Sequence, residues 1–408
     1  MKSAPKGVRL HIGIFGRRNV GKSSLLNAFV NQTVSIVADY PGTTTDPVNK
    51  PMELLPLGPV LFIDTAGVDD TGEVGKLRQK KTKRIFDKTD LALIVTDCEW
   101  TEWEEELCKE FKKRAVPIIA VFNKIDVNKV NETVVEKAQK CVDRVVFASA
   151  LKREGIEELK QVIIDVAPKD LLEHTIIGDL VPAGSFAILV VPIDKEAPKG
   201  RLILPQVQTI RDLLDNDAAA FVVKERELAW ALTLFKEKPA IVVTDSQAFL
   251  KVAADVPEDI PMTSFSILFA RFKGDLDEFV RGCLTIENLK DGDKVLIAEA
   301  CTHHPIADDI GTVKIPRWLV QYTGKKIEFE FARGLDFPEN LSEYALVIHC
   351  GGCMYNRKQI LNRIRKCKEA GVPITNYGLT IAYCLGIFER ALKPFASAYE
   401  VYMELREG

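Results

Sequence analysis

The chain is expected to fold as a multidomain α/β protein with mostly parallel sheets. Apolar runs of strand length alternate with amphipathic segments of helix length almost from end to end. The first run, Leu10–Phe15, leads directly into a glycine-rich loop and then a helical pattern. At 408 residues the chain is also too long for one core, since a domain takes roughly 100–200 residues.

The first unit spans about Val8 to Ala167, with strands expected at Leu10–Phe15, Val60–Asp64, Leu91–Thr96, Ile118–Phe122 and Val145–Ala148. It closes with a helix over Gly155–Val166, ahead of Pro168. The glycine- and proline-containing stretch Gly178–Ser185 reads as a linker or crossover. A second unit follows, with strands at Phe186–Ile193, Ala220–Val223 and Ala240–Thr244 and helices at Pro205–Leu214 and Arg226–Lys236. It has no glycine-rich loop and no clustered Cys, His or carboxylates, which makes it a candidate for assembly rather than catalysis. A third unit starts near Pro261, with strands at Lys294–Ala298, Lys326–Phe331, Tyr344–His349 and Pro373–Thr375. Its clearest helices are Asn356–Ala370 and Leu379–Leu392. Three domains are therefore expected, at 1–170, 178–260 and 261–408.

The composition, 47% hydrophobic and 28% charged, is that of a soluble globular protein. A net charge of -3 and an isoelectric point near 6.1 give no sign of nucleic acid or anionic membrane as an obligatory partner. No apolar run reaches the ~18 residues of a membrane span. The N-terminus has no signal-peptide hydrophobic region, so the expected location is the cytoplasm. There the nine cysteines stay reduced, and clustered ones read as ligands. Six are scattered among apolar neighbours (Cys98, Cys108, Cys141, Cys283, Cys367 and Cys384) and read as small buried hydrophobes. The sequons at Asn31, Asn131 and Asn340 carry no meaning in that compartment, and the basic run Lys76–Arg84 reads as a solvated helix face.

Chemistry concentrates in two places. Gly16-Arg17-Arg18-Asn19-Val20-Gly21-Lys22-Ser23 has phosphate-loop spacing, with a helical pattern from Ser24 to Val30. Gly16 and Gly21 let backbone N–H groups turn toward phosphates. Lys22 adds a point charge, Ser23 a magnesium ligand, and the helix N-terminus with Ser24 its dipole. Leu61-Phe62-Ile63-Asp64-Thr65-Ala66-Gly67 ends a strand in Asp-x-x-Gly; Asp64 holds the magnesium shell and the Gly67 amide senses the γ-phosphate. Asn123-Lys124-Ile125-Asp126 ends another strand. There the Asp126 carboxylate can accept paired hydrogen bonds from guanine N1 and N2, a donor pair that adenine lacks. Ser149-Ala150 offers a backbone amide for guanine O6. The order and spacing point to GTP and GDP with magnesium.

The second place is Cys301-Thr302-His303-His304 together with His349-Cys350-Gly351-Gly352-Cys353. Both groups follow expected strands, at the carboxyl ends where α/β sheets bind ligands. The glycines let the thiolates of Cys350 and Cys353 converge, and the helix beginning near Asn356 favours an anionic site. Three thiolates suit either a Cys₃His zinc site or a 4Fe-4S cluster with one iron open to another ligand. A Cys-Gly-Gly-Cys redox pair is the reading without metal.

Residues 8–167 resemble the translation-factor class of bacterial small GTPases, near the tRNA-modification and ribosome-assembly members. On that resemblance Pro41-Gly42-Thr43-Thr44-Thr45-Asp46 is the first switch, with Thr44 sensing magnesium. Lys22, Thr44, Asp64 and Gly67 then form the catalytic set. Val68 stands where Ras-like proteins place a water-orienting glutamine, so hydrolysis should be slow. Asn19 matches the asparagine that, in similar GTPases, holds a potassium ion against the phosphates.

The whole chain resembles the HydF family, the GTPases of iron-iron hydrogenase maturation, on Cys301-x-His303 and His349-Cys350-x-x-Cys353 behind a GTPase domain. The resemblance implies an N-terminal P-loop GTPase domain, a middle dimerisation domain and a C-terminal iron-sulfur domain. It implies Cys301, Cys350 and Cys353 as 4Fe-4S ligands, with His303 and His349 as candidate fourth ligands or neighbours. It also implies a homodimeric scaffold and carrier. This scaffold receives a transient di-iron subcluster precursor from partner radical maturation enzymes and passes it to apo-hydrogenase. Two other readings fit the residues: an RNA- or ribosome-associated GTPase with a structural zinc, and a GTP-dependent redox enzyme.

Overall fold

The computed structural model describes residues 5–30, 48–65, 84–168, 174–192, 202–300 and 309–407. The chain divides into two compact units, Met1–Glu173 and His174–Gly408.

The first unit holds a six-stranded sheet. Its strands are β1 (Leu10–Phe15), β2 (Val48–Leu54), β3 (Gly58–Asp64), β4 (Leu91–Thr96), β5 (Ile118–Phe122) and β6 (Arg144–Phe147), in the order β2-β3-β1-β4-β5-β6. All pairings are parallel except β2 with β3. Every residue of β1, β4 and β5 is buried, as expected of central strands covered on both faces. One core cluster contains Ile12, Ile14, Phe29 and Phe62; another contains Phe15, Phe86, Phe111 and Phe122. The sequence reading did not anticipate β2, because Val-Asn-Lys-Pro-Met-Glu-Leu has little strand character. It pairs only as an antiparallel edge, where Pro51 opposite Leu61 is tolerated.

The second unit contains two four-stranded, all-parallel sheets. The first comprises β7 (Phe186–Val190), β8 (Ala219–Val223), β9 (Ile241–Thr244) and β10 (Met262–Ser264), in the order β10-β9-β7-β8. The second comprises β11 (Lys294–Glu299), β12 (Glu328–Arg333), β13 (Leu346–His349) and β14 (Ile374–Asn376), in the order β12-β11-β13-β14. One continuous apolar cluster runs through both, including Leu189, Val243, Phe269, Ile297 and Ile348. The crossover at Gly178–Ser185 is pinned, since the amides of Ile176, Ile177 and Gly178 all donate to Asp212 Oδ2 at 2.8–3.0 Å.

Two helices differ from expectation. Arg226–Lys236 forms only the turn Leu228–Ala231, because Leu228 and Ala231 are its only buried apolar side chains. Leu379–Leu392 splits into Tyr377–Cys384 and Phe388–Leu392, broken near Gly386, which takes φ +75°. The helix expected at Asn356–Ala370 runs Arg357–Glu369 with those two residues as its caps. Among the described residues, no helix is long and apolar enough to cross a membrane.

Candidate functional site

The phosphate loop joins β1 to the helix Lys22–Val30, and the motif residues hold one another. Lys22 Nζ donates to the carbonyls of Gly16 (2.6 Å) and Arg17 (2.7 Å), which keeps the ammonium inside the loop. Gly21 sits at φ +94°, and a Cβ there would lie 2.3 Å from Asn123 Nδ2. Ser23 Oγ donates to Asp64 Oδ2 at 2.7 Å, so the two expected magnesium-shell residues already meet. Ser24 is exposed beside Ser23.

The loops carrying Asn123–Asp126 and Ser149–Ala150, expected to read the base, meet the phosphate loop. Asn123 is 1% exposed and bridges loops: its Nδ2 donates to the Val20 carbonyl (2.9 Å) and its Oδ1 accepts from Ala150 N (3.1 Å). Lys124 Nζ donates to the Asn19 carbonyl at 2.6 Å, both residues at positive φ. Ser149 Oγ donates to Asp126 Oδ1 at 2.7 Å and holds that carboxyl below its usual range, so Asp126 presents an ionised acceptor. Sequence reasoning missed one brace. Arg17 donates to Glu104 at 2.9 Å and to Glu99 at 2.9 Å, and Glu104 also accepts from Thr101 N and Oγ1. The Thr101-x-x-Glu104 capping-box pattern was the readable signal. Thr44, Gly67 and Val68, the rest of the switch Thr43–Asp46 and most of Lys76–Arg84 lie outside the described residues.

In the second unit, β11 and β13 are adjacent and parallel, with Ala298 opposite His349. Cys350 N donates to the Ala298 carbonyl (2.9 Å), and Ala300 N donates to Cys350 Sγ (3.1 Å). Cys350 and Cys353 line one cavity of about 200 Å³, with Glu299, Asp309 and Tyr377 on its wall and Asp245–Gln247 contributed from the end of β9. Gly352 takes φ +64° to make the turn. Burial pushes the Cys350 thiol up to about 11, against the N–H groups of Gly352 and Ala300, which favour the thiolate. Metal binding here would therefore release a proton.

Of the expected ligands, Cys301 and His303, like His304, lie outside the described residues. Among the described residues, no group of three or more His, Cys, Asp or Glu is arranged to hold a metal ion. The donors present do suit a thiolate-bound cluster: two sulfurs share a cavity, one accepts a backbone N–H, and β11 ends two residues before Cys301. His349 is completely buried and does not line the cavity. Its Nδ1 meets the Cys350 carbonyl and its Nε2 accepts from Arg363, each at 2.7 Å. Burial, reinforced by Arg363, lowers its pKa to about 3. In this geometry His349 is a neutral neighbour of the thiols, with both ring nitrogens engaged. The six scattered cysteines divide: Cys98, Cys108, Cys283 and Cys367 are buried, whereas Cys141 and Cys384 are partly exposed.

Comparison with known proteins assigns the units. Residues 176–274 match the model of the Hydrogen maturase F dimerization domain and 277–394 that of its tetramerization domain, together more than half of the chain. The chain thus carries oligomerisation domains, and the region read as an iron-sulfur domain matches a model described as tetramerising. Residues 11–124 match the 50S ribosome-binding GTPase model. Over 162 residues the chain is 37% identical to the tRNA modification GTPase MnmE of Trichormus variabilis, covering 38% of this chain and 34% of that one. Over 194 residues it is 34% identical to GTPase Der of Wolinella succinogenes, covering 43% and 41%. It spans about a third of the length of the curated relatives it first matches. A solved G domain of the T. maritima FeoB iron transporter aligns at 24% identity and TM-score 0.31, over 39% of this chain and 98% of that one. With a GTPase domain at its N-terminus and both Hydrogen maturase F domains behind it, the chain belongs to the HydF family.

Proposed function

We propose that this chain is a GTP-hydrolysing scaffold and carrier in iron-iron hydrogenase maturation. The observation that carries the reading is the Cys350–Cys353 pair, facing one cavity in a chain that also holds a self-braced nucleotide site. In the first domain, at 1–170, Lys22 binds the β and γ phosphates, Ser23 and Asp64 take the magnesium shell with Thr44, and Asp126 selects guanine. Magnesium neutralises phosphate charge, and a potassium ion at Asn19 adds a second cation there. Val68 in place of glutamine leaves turnover slow and dependent on that ion. Identical turnover in potassium and sodium at constant ionic strength would discard the Asn19 assignment.

The domain at 178–260 builds a homodimer. The domain at 261–408 holds a 4Fe-4S cluster through Cys301, Cys350 and Cys353, and His303 is a candidate for the fourth position. Such a cluster supplies one iron with a replaceable ligand, which suits a site that receives and surrenders cargo. The residues around it hold the thiols, limit water through the cavity wall and keep His349 neutral. The cargo is a di-iron precursor, taken from radical maturation enzymes and delivered to apo-hydrogenase in the cytoplasm. GTP state alters partner contacts through the switches.

Anaerobic reconstitution of the full chain with iron and sulfide tests the reading. We expect about four iron and four sulfide per chain, lost in Cys350→Ser. One tightly held zinc and no iron would replace it with a structural-zinc GTPase.

A further inference from the structure

We infer that Arg363 is the positioning residue of the Cys350–Cys353 turn, a single guanidinium that clamps both flanks of the ligand pair. The inference rests on the turn being a metal site. Arg363 lies on the helix Arg357–Glu369 and is 6% exposed. Its Nη1 donates to His349 Nε2 at 2.7 Å, reaching the residue immediately before Cys350. Its Nη2 donates to Tyr355 Oη at 3.0 Å, reaching two residues beyond Cys353. The same Nη2 donates to the Gly334 carbonyl at 2.6 Å, just past β12.

The contacts continue inward on both sides. His349 Nδ1 meets the Cys350 carbonyl, and Tyr355 N donates to the Gly352 carbonyl at 2.9 Å. Tyr355 Oη also donates to the Gly334 carbonyl. The guanidinium packs on the rings of Phe337 and Tyr355, 4.6 and 4.8 Å from their centroids. Its plane is therefore fixed by rings and its edges by hydrogen bonds, and the turn is held by residues that do not line the cavity. No other donor type spans both flanks this way: lysine brings the charge without the planar fork. Fixing a ligand's orientation from behind is how outer partners raise metal affinity. The buried positive charge also opposes the negative charge that thiolates bring on binding a metal.

Cadmium is the probe, because thiolates bind it with an ultraviolet charge-transfer band whatever the natural metal is. The full-length chain, reduced and metal-free, is titrated with Cd²⁺; the Cys350→Ser, Cys353→Ser double variant sets the background from other thiols. Arg363→Gln is expected to weaken turn-dependent cadmium affinity about 10–100-fold. Arg363→Lys should recover part of that loss by keeping the charge. Circular dichroism melts report whether each variant is folded. Where Arg363→Gln does not fold, Arg363→Lys and Tyr355→Phe carry the test, with a smaller fall expected in each. Unchanged affinity in the folded variants overturns the inference, as does a wild-type chain whose band is independent of Cys350 and Cys353. Iron and sulfide uptake with unaltered cadmium binding sinks this inference alone. Cadmium loss without iron uptake sinks the cluster reading alone.

Discussion

The nucleotide site and the cysteine turn are both built at the carboxyl ends of parallel strands, yet different kinds of residue hold them in shape. Around the phosphate loop, most of the bracing partners belong to the motifs themselves: Ser23 meets Asp64, Asn123 meets Val20 and Ala150, Lys124 meets Asn19, and Ser149 meets Asp126. Around the cysteine turn they come from elsewhere: Ala300, Tyr355, Gly334 and, behind everything, Arg363. A site that braces itself can be recognised from its motif. A site braced by strangers shows only its ligands.

The contrast can be attacked at several strengths. The largest expected effect concerns the core cysteines, which lie apart from the turn. Burial pushes Cys108 and Cys367 up to about 12, so at pH 8 only about one thiol in ten thousand is thiolate. Iodoacetamide under native conditions at pH 8 should leave both unmodified, as mass spectrometry of digested chain would report. Sensitivity should appear only as the pH approaches 12 or the chain unfolds, and ready labelling of either at pH 8 would mean the scattered thiols are not core.

A smaller effect tests the self-braced site. Asp126→Asn removes the ionised acceptor for guanine N1 and N2 while keeping a partner for Ser149. A lost hydrogen bond to a charged group is worth about 1.5–3 kcal/mol, so GTP affinity should fall roughly 10–150-fold in a fluorescent-nucleotide titration. Xanthosine triphosphate, with a carbonyl at C2, should gain over GTP. Equal GTP affinity would mean that Asp126 does not read the base.

The smallest effect lies beside the cysteine turn. Asn356 caps the helix Arg357–Glu369, accepting from Gln359 N at 3.1 Å while Gln359 Oε1 accepts from Asn356 N. Asn356→Ala should cost about 1 kcal/mol and lower the melting temperature by about 2–4 °C. A much larger fall would show that the cap also carries the turn, and would blur the distinction drawn between the two sites.

The strands β1, β3 and β5 were legible because continuous apolar runs end in motif residues, and β4 because its run Leu91–Thr96 is apolar almost throughout. The edge strand β2 was not, since its seven residues contain Asn, Lys, Pro and Glu and gain strand structure only from pairing with β3. Arg226–Lys236 looked helical because its charges and apolar residues alternate suitably, but only one turn finds apolar burial. His349 was recognised as part of the cysteine site, yet nothing local revealed that its Nε2 faces Arg363, fourteen positions away.

The sequence alone determined the α/β class, the guanine-nucleotide site and the cysteines that face a common cavity. Those follow from local periodicity and from chemistry that tolerates few residue types at fixed spacing. Only the tertiary structure decided that Asn123 is a bridge between loops, that Arg17 is tied to Glu104, and that His349 is buried and neutral, engaged by Arg363. Each of these depends on side chains distant in sequence meeting in a buried space, where a polar group must find whichever partner the packing brings to it.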